Sequence, residues 1–260
     1  MSFISVIENT FFANARYWGG LNSSLYNSGS IRSMKTGIKS ADLNMVWNEK
    51  PLALGDADAI QDIQKHFQKA GLPFWWWVFP DAQSQTTLNL LKSAGFSLVH
   101  RIPSMLADLT LLPDEKPCYS AISIIHVKNR EELCLWEEVS FAGFDFLPET
   151  KNPYHDFVST FNLNPVSPQK FFLACFNGKP VATSLLFLHE ETAGIYFVST
   201  LAEYRKKGIG LAMTLATMRA ARQTGARFST LQSSPEGFRV YQQAGFTELC
   251  RVGVYSLSAA

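Results

Sequence analysis

Several familiar signals are missing from this 260-residue sequence, and each absence removes a class of function. Only four cysteines occur, Cys118, Cys134, Cys175 and Cys250. None stands in a C-x-x-C pair, so no zinc site or redox pair is expected, and small buried hydrophobes in a reducing compartment is the reading their spacing favours. No metal is expected elsewhere. Nowhere do about eighteen apolar residues run together, and Met1–Tyr17 has no charged segment leading into an apolar one. No membrane association and a cytoplasmic location are therefore expected. Charge of one sign is not in excess either, with 23 basic and 22 acidic residues giving a net +1. Nucleic acid and anionic membranes usually demand a basic excess or patch, so neither is the expected partner. Two phosphate-binding motifs are also lacking: the nucleotide loop Gly-x-x-x-x-Gly-Lys-Ser/Thr, and Gly-x-Gly-x-x-Gly followed by an acidic residue about twenty positions on.

What the chain does have is a strand pattern running into Arg205-x-x-Gly208-x-Gly210 at the mouth of a helix. From Leu211 onward, Leu211, Leu215 and Met218 fall on one helical face, and Gly225 supplies a C′ stop. A glycine-bearing turn at a helix start brings unpaired backbone N–H groups and the positive end of the helix dipole close to an anion. Arg205, Lys206 and Lys207 add positive charge beside it. The alternative is an exposed turn before an ordinary core helix, and the order of elements on either side of the motif weighs against it.

Downstream lie a strand pattern over residues 227–234, a short helix with Pro235 in its first turn and Gly245 at its end, and a final strand over 248–257. Upstream, residues 122–127 read as a strand and 131–141 as a helix. Residues 171–176 and 181–189 read as a hairpin around Asn177-Gly178. Strand, R-x-x-G-x-G, helix, strand and a helix ending Tyr-x-x-x-Gly-Phe, here Tyr241 to Phe246, resembles the GNAT superfamily of acyl-CoA-dependent N-acyltransferases from about residue 120 onward. The resemblance implies acetyl-CoA (coenzyme A) as cofactor. Val198, Ser199 and Thr200 would offer backbone groups to pantetheine, and Lys206, Lys207, Gly208, Ile209, Gly210 and Leu211 would cradle the pyrophosphate with Arg205 alongside. Ser234 stands where many members carry an asparagine near the cofactor. Tyr241 matches a tyrosine placed to protonate the departing thiolate, its other reading being a core ring behind Phe238.

The first 110 residues repeat this order faintly. Residues 59–70 read as a helix ending at Gly71, 74–79 as a strand and 86–93 as a helix, and Ala94-Gly95-Phe96 repeats Ala244-Gly245-Phe246. Asp56 and Asp58 replace the glycine-basic motif and would repel a pyrophosphate, and Leu91 replaces Tyr241. Trp75-Trp76-Trp77 reads as core strand. The whole chain resembles tandem GNAT proteins whose N-terminal half carries Arg32, Thr36, Gly37, Asn44 and Val46 in a recurring pattern. The expected fold is α/β (α+β), with two GNAT-like domains, each a mixed, mostly antiparallel twisted sheet flanked by helices. Residues 1–112 would form a degenerate domain, 113–120 a linker and 121–260 the cofactor-binding domain.

The function this implies is transfer of an acetyl group from acetyl-CoA to a primary amine of a small molecule or peptide, with Tyr241 as general acid. The alternative is an acyl-CoA-binding regulatory or scaffold protein. No carboxylate stands on residues 194–200, Ser229 occupies a position where some relatives place a glutamate, and Glu137, Glu138, Asp145 and His155 are the candidate bases. Residues 141–165, rich in aromatics, Pro and Asn, would line the acceptor pocket. Longer-acyl or aminoacyl transfer from a charged tRNA is disfavoured by the near-zero net charge. The acceptor's identity and the oligomeric state are left open.

Overall fold

The computed structural model describes residues 2–114 and 121–257, so most of the expected linker, with Cys118, lies outside the described residues. In chain order the elements are α1 (Phe3–Leu21), β1 (Tyr26–Ser28), β2 (Ile31–Met34), β3 (Met45–Asn48), α2 (Ala57–Ala70), β4 (Trp75–Val78), α3 (Gln85–Ser93), β5 (Phe96–Asp108), β6 (Ile122–His126), α4 (Arg130–Gly143), α5 (Lys151–Ser159), β7 (Gln169–Phe176), β8 (Lys179–His189), β9 (Thr192–Thr200), α6 (Ile209–Gln223), β10 (Phe228–Gln232), α7 (Phe238–Gln243) and β11 (Thr247–Leu257). Strand pairing is mostly antiparallel, with helices packed on the sheets. Among the described residues, no helix is long and apolar enough to cross a membrane.

Two compact units result. The first takes the chain up to Pro103, Asn152–Thr160 and the chain from Cys250; the second takes Ser104–Lys151 and Phe161–Leu249. These units differ from the division expected from the repeat in three segments, and packing explains them: residues 104–108 of β5 pair with Phe228–Gln232 of β10, and the other two follow their own partners. Gly253–Tyr255 of β11 pair antiparallel with Trp76–Val78 of β4, and Phe157 of α5 meets Trp18 edge to face at 5.8 Å.

Within the first unit β1, β2 and β3 are antiparallel, β3 and β4 parallel, and β11 closes on β4. Helix α2 buries Ile60, Ile63 and Phe67 against Val46, Trp76 and Leu91, and its C-terminus stops at Gly71, whose φ of 64° is left-handed. The opposite face receives α1, where Phe11 lies 4.9 Å from Trp77 and Phe12 stacks on Trp47. Trp76 and Trp77 are buried, as a doubly covered strand requires.

The Arg32-to-Val46 pattern centres on Asn44, which is fully buried. Its Nδ2 engages the carbonyls of Ile38, Ser40 and Pro73, while Oδ1 accepts from Thr36 N and Thr36 Oγ1. One side chain therefore ties the loop that follows β2 to the segment entering β4. Asn44→Ala is expected to cost about 2 kcal/mol, because buried carbonyls lose their donor. Urea unfolding measures it, and a change within experimental error would refute this bracing role.

The second unit repeats the order: antiparallel β6, β7, β8 and β9, a parallel β9–β10 pair, then residues 104–108 of β5 antiparallel to β10. Asn177 (φ 49°) and Gly178 (φ 81°) make the β7–β8 turn, both in the left-handed region that an Asn-Gly pair suits. Helices α6 and α7 cover one face, with Met213, Met218 and Tyr241 packed on Leu186, Ile195 and Leu231. On the other face Trp136 of α4 lies 5.5 Å from Phe171 and donates Nε1–H to Ser184 O.

Candidate active site

Strand β9 leaves β10 soon after both begin. They pair only over Thr192–Gly194 and Phe228–Thr230, and beyond Gly194 the edge of β9 that faces β10 has no strand partner. The cause lies on its other edge. Ser184 of β8 stands opposite two residues of β9, Phe197 and Val198, because Leu185 pairs with Tyr196 and Thr183 with Ser199. This bulge puts Phe197 at φ 51°, a conformation costly for a bulky side chain. Two buried hydroxyls hold it: Thr183 Oγ1 donates to Phe197 O at 2.9 Å and lies 2.8 Å from Ser199 Oγ. Val198, Ser199 and Thr200 thus sit just past the bulge. Gly143, at the end of α4, lets that helix press close, since a Cβ there would lie 2.5 Å from Ser199 Oγ.

The chain then turns through Ala202–Tyr204 into α6. Lys206 has φ 61° and Gly208, the N-cap of α6, φ 78°. Gly208 brings no side-chain acceptor, so the first N–H groups of the helix, around Ile209, Gly210 and Leu211, keep their donors available. A Cβ on Gly210 would come no closer than 3.9 Å to any neighbour. Nothing in the chain demands a bare backbone there, and the space it leaves is open to a ligand.

The three basic residues are placed differently from one another. Arg205 donates Nε–H to Thr200 O and Nη2–H to Gly143 O, so its guanidinium clamps the loop to the ends of β9 and α4. Lys207 Nζ lies 5.0 Å above the Tyr204 ring and 5.4 Å above Phe176. Lys206 is exposed beside the open helix end.

Tyr241, on α7, is buried with its ring over Gly237, where a Cβ would lie 2.7 Å from Cε2, and edge-on to Phe246 at 6.0 Å. Burial pushes its phenol up to about 12, so it stays protonated. Its hydroxyl makes no hydrogen bond among the described residues. Ser234 is exposed and its Oγ accepts from Gly237 N at 3.1 Å, helping to shape the turn on which Tyr241 rests.

Of the candidate bases, Glu137 is half-buried on α4 and Glu138 and Asp145 are exposed, while His155 is exposed on α5 in the first unit. None lies on β9 or β10. Within the expected acceptor-pocket segment, Phe144 packs edge-on to Phe197 at 5.6 Å, whereas Tyr154 is fully buried in the first unit. Sequence reading missed three groups near the splay. Tyr196 folds over Gly194, whose Cβ would lie 2.7 Å from the tyrosine Oη, and burial raises its pKa as well. Gln232 and Ser104 are the others. A glycine two positions before a tyrosine on a strand is the one signal that pointed to this packing. Among the described residues no cluster of His, Cys, Asp or Glu could hold a metal ion.

In the first unit the segment between β3 and α2 has a different chemistry. Asp56 is the N-cap of α2, and its carboxylate accepts from Ala53 N and Ser30 Oγ. A negative group thus occupies the position where the second unit leaves N–H groups open.

Comparison with known proteins finds a family match over part of the chain and similar folds over most of it. Residues 132–246 match the model of the Acetyltransferase (GNAT) family. A GCN5-related N-acetyltransferase from Kribbella flavida superposes with a TM-score of 0.73 at 18% identity, covering 96% of each chain. One from Sphaerobacter thermophilus gives 0.66 at 16% identity, over 89% of this chain and 78% of that one. A tandem GNAT protein from the clavulanic acid biosynthesis pathway gives 0.59 at 12% identity, over 88% and 79%. No curated protein sequence matches the chain.

Proposed function

We propose, from the match of residues 132–246 to the Acetyltransferase (GNAT) family model, that the chain is an N-acetyltransferase of the GNAT superfamily moving an acetyl group from acetyl-CoA to a primary amine of a small molecule or peptide. One observation carries the reading: a strand edge freed by the Phe197 bulge runs directly into an uncapped helix N-terminus. The residues present fit the donor. Val198 to Thr200 would pair with the amides of pantetheine. The N–H groups of Lys206 to Leu211, with Lys206 Nζ, would hold the pyrophosphate, the bare Gly210 making room for it. Arg205 would act by fixing the loop, since two of its donors are committed to backbone carbonyls. The first unit, with Asp56 at the equivalent helix start, would bind no cofactor, and the chain would be a tandem GNAT protein with one donor site.

Acetyl-CoA supplies an acetyl group activated as a thioester. In direct transfer the amine nitrogen bonds to the acetyl carbon, the carbon–sulfur bond breaks and the sulfur needs a proton. Tyr241 holds one on Oη throughout the physiological range. Burial that raises the phenol also raises the thiol of a donor lodged beside it, which keeps the two matched for proton transfer. No carboxylate stands on β9 or β10, so a protonated amine would lose its proton to water before attack, and the proton that the nitrogen sheds as the amide forms would also leave to water. Turnover should then rise with pH toward the amine's pKa.

Thiol release from acetyl-CoA across an amine panel tests the proposal. Amine-dependent release is the expected result. Saturable coenzyme A binding with no release on any amine would instead favour the acyl-CoA-binding regulatory or scaffold protein, the reading to which the lack of a carboxylate on these strands lends support.

A further inference from the structure

Residues of β10 alternate between the two faces of the second unit's sheet. Leu231 enters the core under α6 and α7, and Ser229 bonds Ala193 O, so Thr230 and Gln232 point to the other face. Ser104 of β5 pairs with Gln232, and Gly194 of β9 pairs with Thr230. Paired residues share a face, which puts Ser104, Gln232 and Tyr196 together on the side opposite α6. Gln232 ends β10, past the last residue that pairs with β9. It therefore borders the splay where a donor would lie.

At this place polar atoms lack partners. Both Nε2 and Oε1 of Gln232 are shielded from water without a hydrogen bond, and so is Oγ of Ser104, a fully buried residue. A buried polar group left without a partner is costly to the folded state. On β9, β10 and β5 the residues that share this face here are Gly194, Tyr196, Thr230, Gln232, Ser104 and Leu106, none of them charged. An amide with a hydroxyl beside it is satisfied by a group that both donates and accepts. A second full charge would find no counterion on these strands.

We infer that Gln232 and Ser104 form a specificity site for the acceptor, selecting amines that carry a neutral hydrogen-bonding group, hydroxyl or carboxamide, next to the attacking nitrogen. This rests on the acetyltransferase reading above and adds the acceptor's chemical class to it.

The test compares ethanolamine and glycinamide with propylamine and ethylenediamine as acceptors. The intact protein should favour the first pair by about tenfold or more in kcat/KM. Gln232→Leu should bring that ratio to within about twofold while KM for acetyl-CoA stays put, and Gln232→Glu, of equal size, should shift preference toward ethylenediamine. A preference unchanged in Gln232→Leu, or an intact protein that favours propylamine or ethylenediamine, would mean that these atoms do not meet the acceptor, and the inference falls. Should no amine consume acetyl-CoA, the acetyltransferase reading fails and saturation-transfer NMR with glycinamide still decides. A signal from the coenzyme A-loaded protein that Gln232→Leu abolishes supports the site, and no signal overturns it.

Discussion

Replacing Tyr241 by phenylalanine is expected to lower kcat about a hundredfold, within the span general acids contribute, while affinity for coenzyme A is kept and stability does not fall. The two halves of this expectation have separate physical grounds. The ring is held by Gly237 and Phe246 and packs in the core, contacts that phenylalanine keeps. Its hydroxyl bonds no described residue, so its removal orphans no partner and frees the protein from keeping a polar group in an apolar setting. A tyrosine present only to fill the core would therefore tolerate the change in every respect. Because burial pushes the phenol up to about 12, the intact protein should also show no alkaline decline in turnover from this group below about pH 11. Initial rates with saturating acetyl-CoA, with coenzyme A binding by calorimetry, give both readouts. Unaltered turnover would remove Tyr241 from the chemistry.

Glu8→Gln should stabilise the first unit by about 3 kcal/mol near pH 8 and leave it unchanged near pH 4. Glu8 lies on the inner face of α1, 4% exposed, and Oε1 accepts from Asp81 N at 3.1 Å. Desolvation is the largest influence and raises its pKa from 4.5 to about 7; the Asp81 N–H opposes this, and the Asp81 carboxylate adds to it. The folded state therefore favours the protonated form. That preference stabilises fully below about pH 4.5 and is lost as pH rises through about 7, where burying an ionised carboxylate becomes the cost of folding. Glutamine keeps the acceptor for Asp81 N–H and cannot ionise. Urea unfolding of both forms across this range measures the difference, and an equal gain at the two pH values would contradict the assignment.

Local chemistry was the legible part of this protein. Asn177-Gly178, Gly71 and Gly225 announced a hairpin and two helix ends because glycine and asparagine reach left-handed backbone that other residues avoid. The Arg205-to-Gly210 spacing likewise announced the open helix end. The bulge behind it was not readable, since it falls on a phenylalanine, and its support comes from Thr183 on a neighbouring strand. Arg205 looked like one more anion-binding charge, and its bond to Gly143 O spans 62 residues. Helix α1 lacked an announced start, although Ser2 caps it by accepting from Ser5 N. The pairing of Gln232 with Ser104 joins strands from opposite ends of the sequence, and no periodicity within either strand encodes it. Asn44 shows the same limit: a motif recognisable as a pattern becomes intelligible as a brace only when Pro73 O is seen against it.

The pairing of Gly253–Tyr255 with Trp76–Val78 also sets an order of events during synthesis. N-terminal domains generally fold as they leave the ribosome. Here β4 has its second neighbour only after roughly 175 further residues have been added, a span that makes this closure a slow, non-local step. Until then the tryptophan strand carries an unpaired apolar edge, the kind of surface on which nascent chains aggregate. The part of the protein made first is thus the part finished last, and its dependence on chaperones should be greatest while the rest is still being translated.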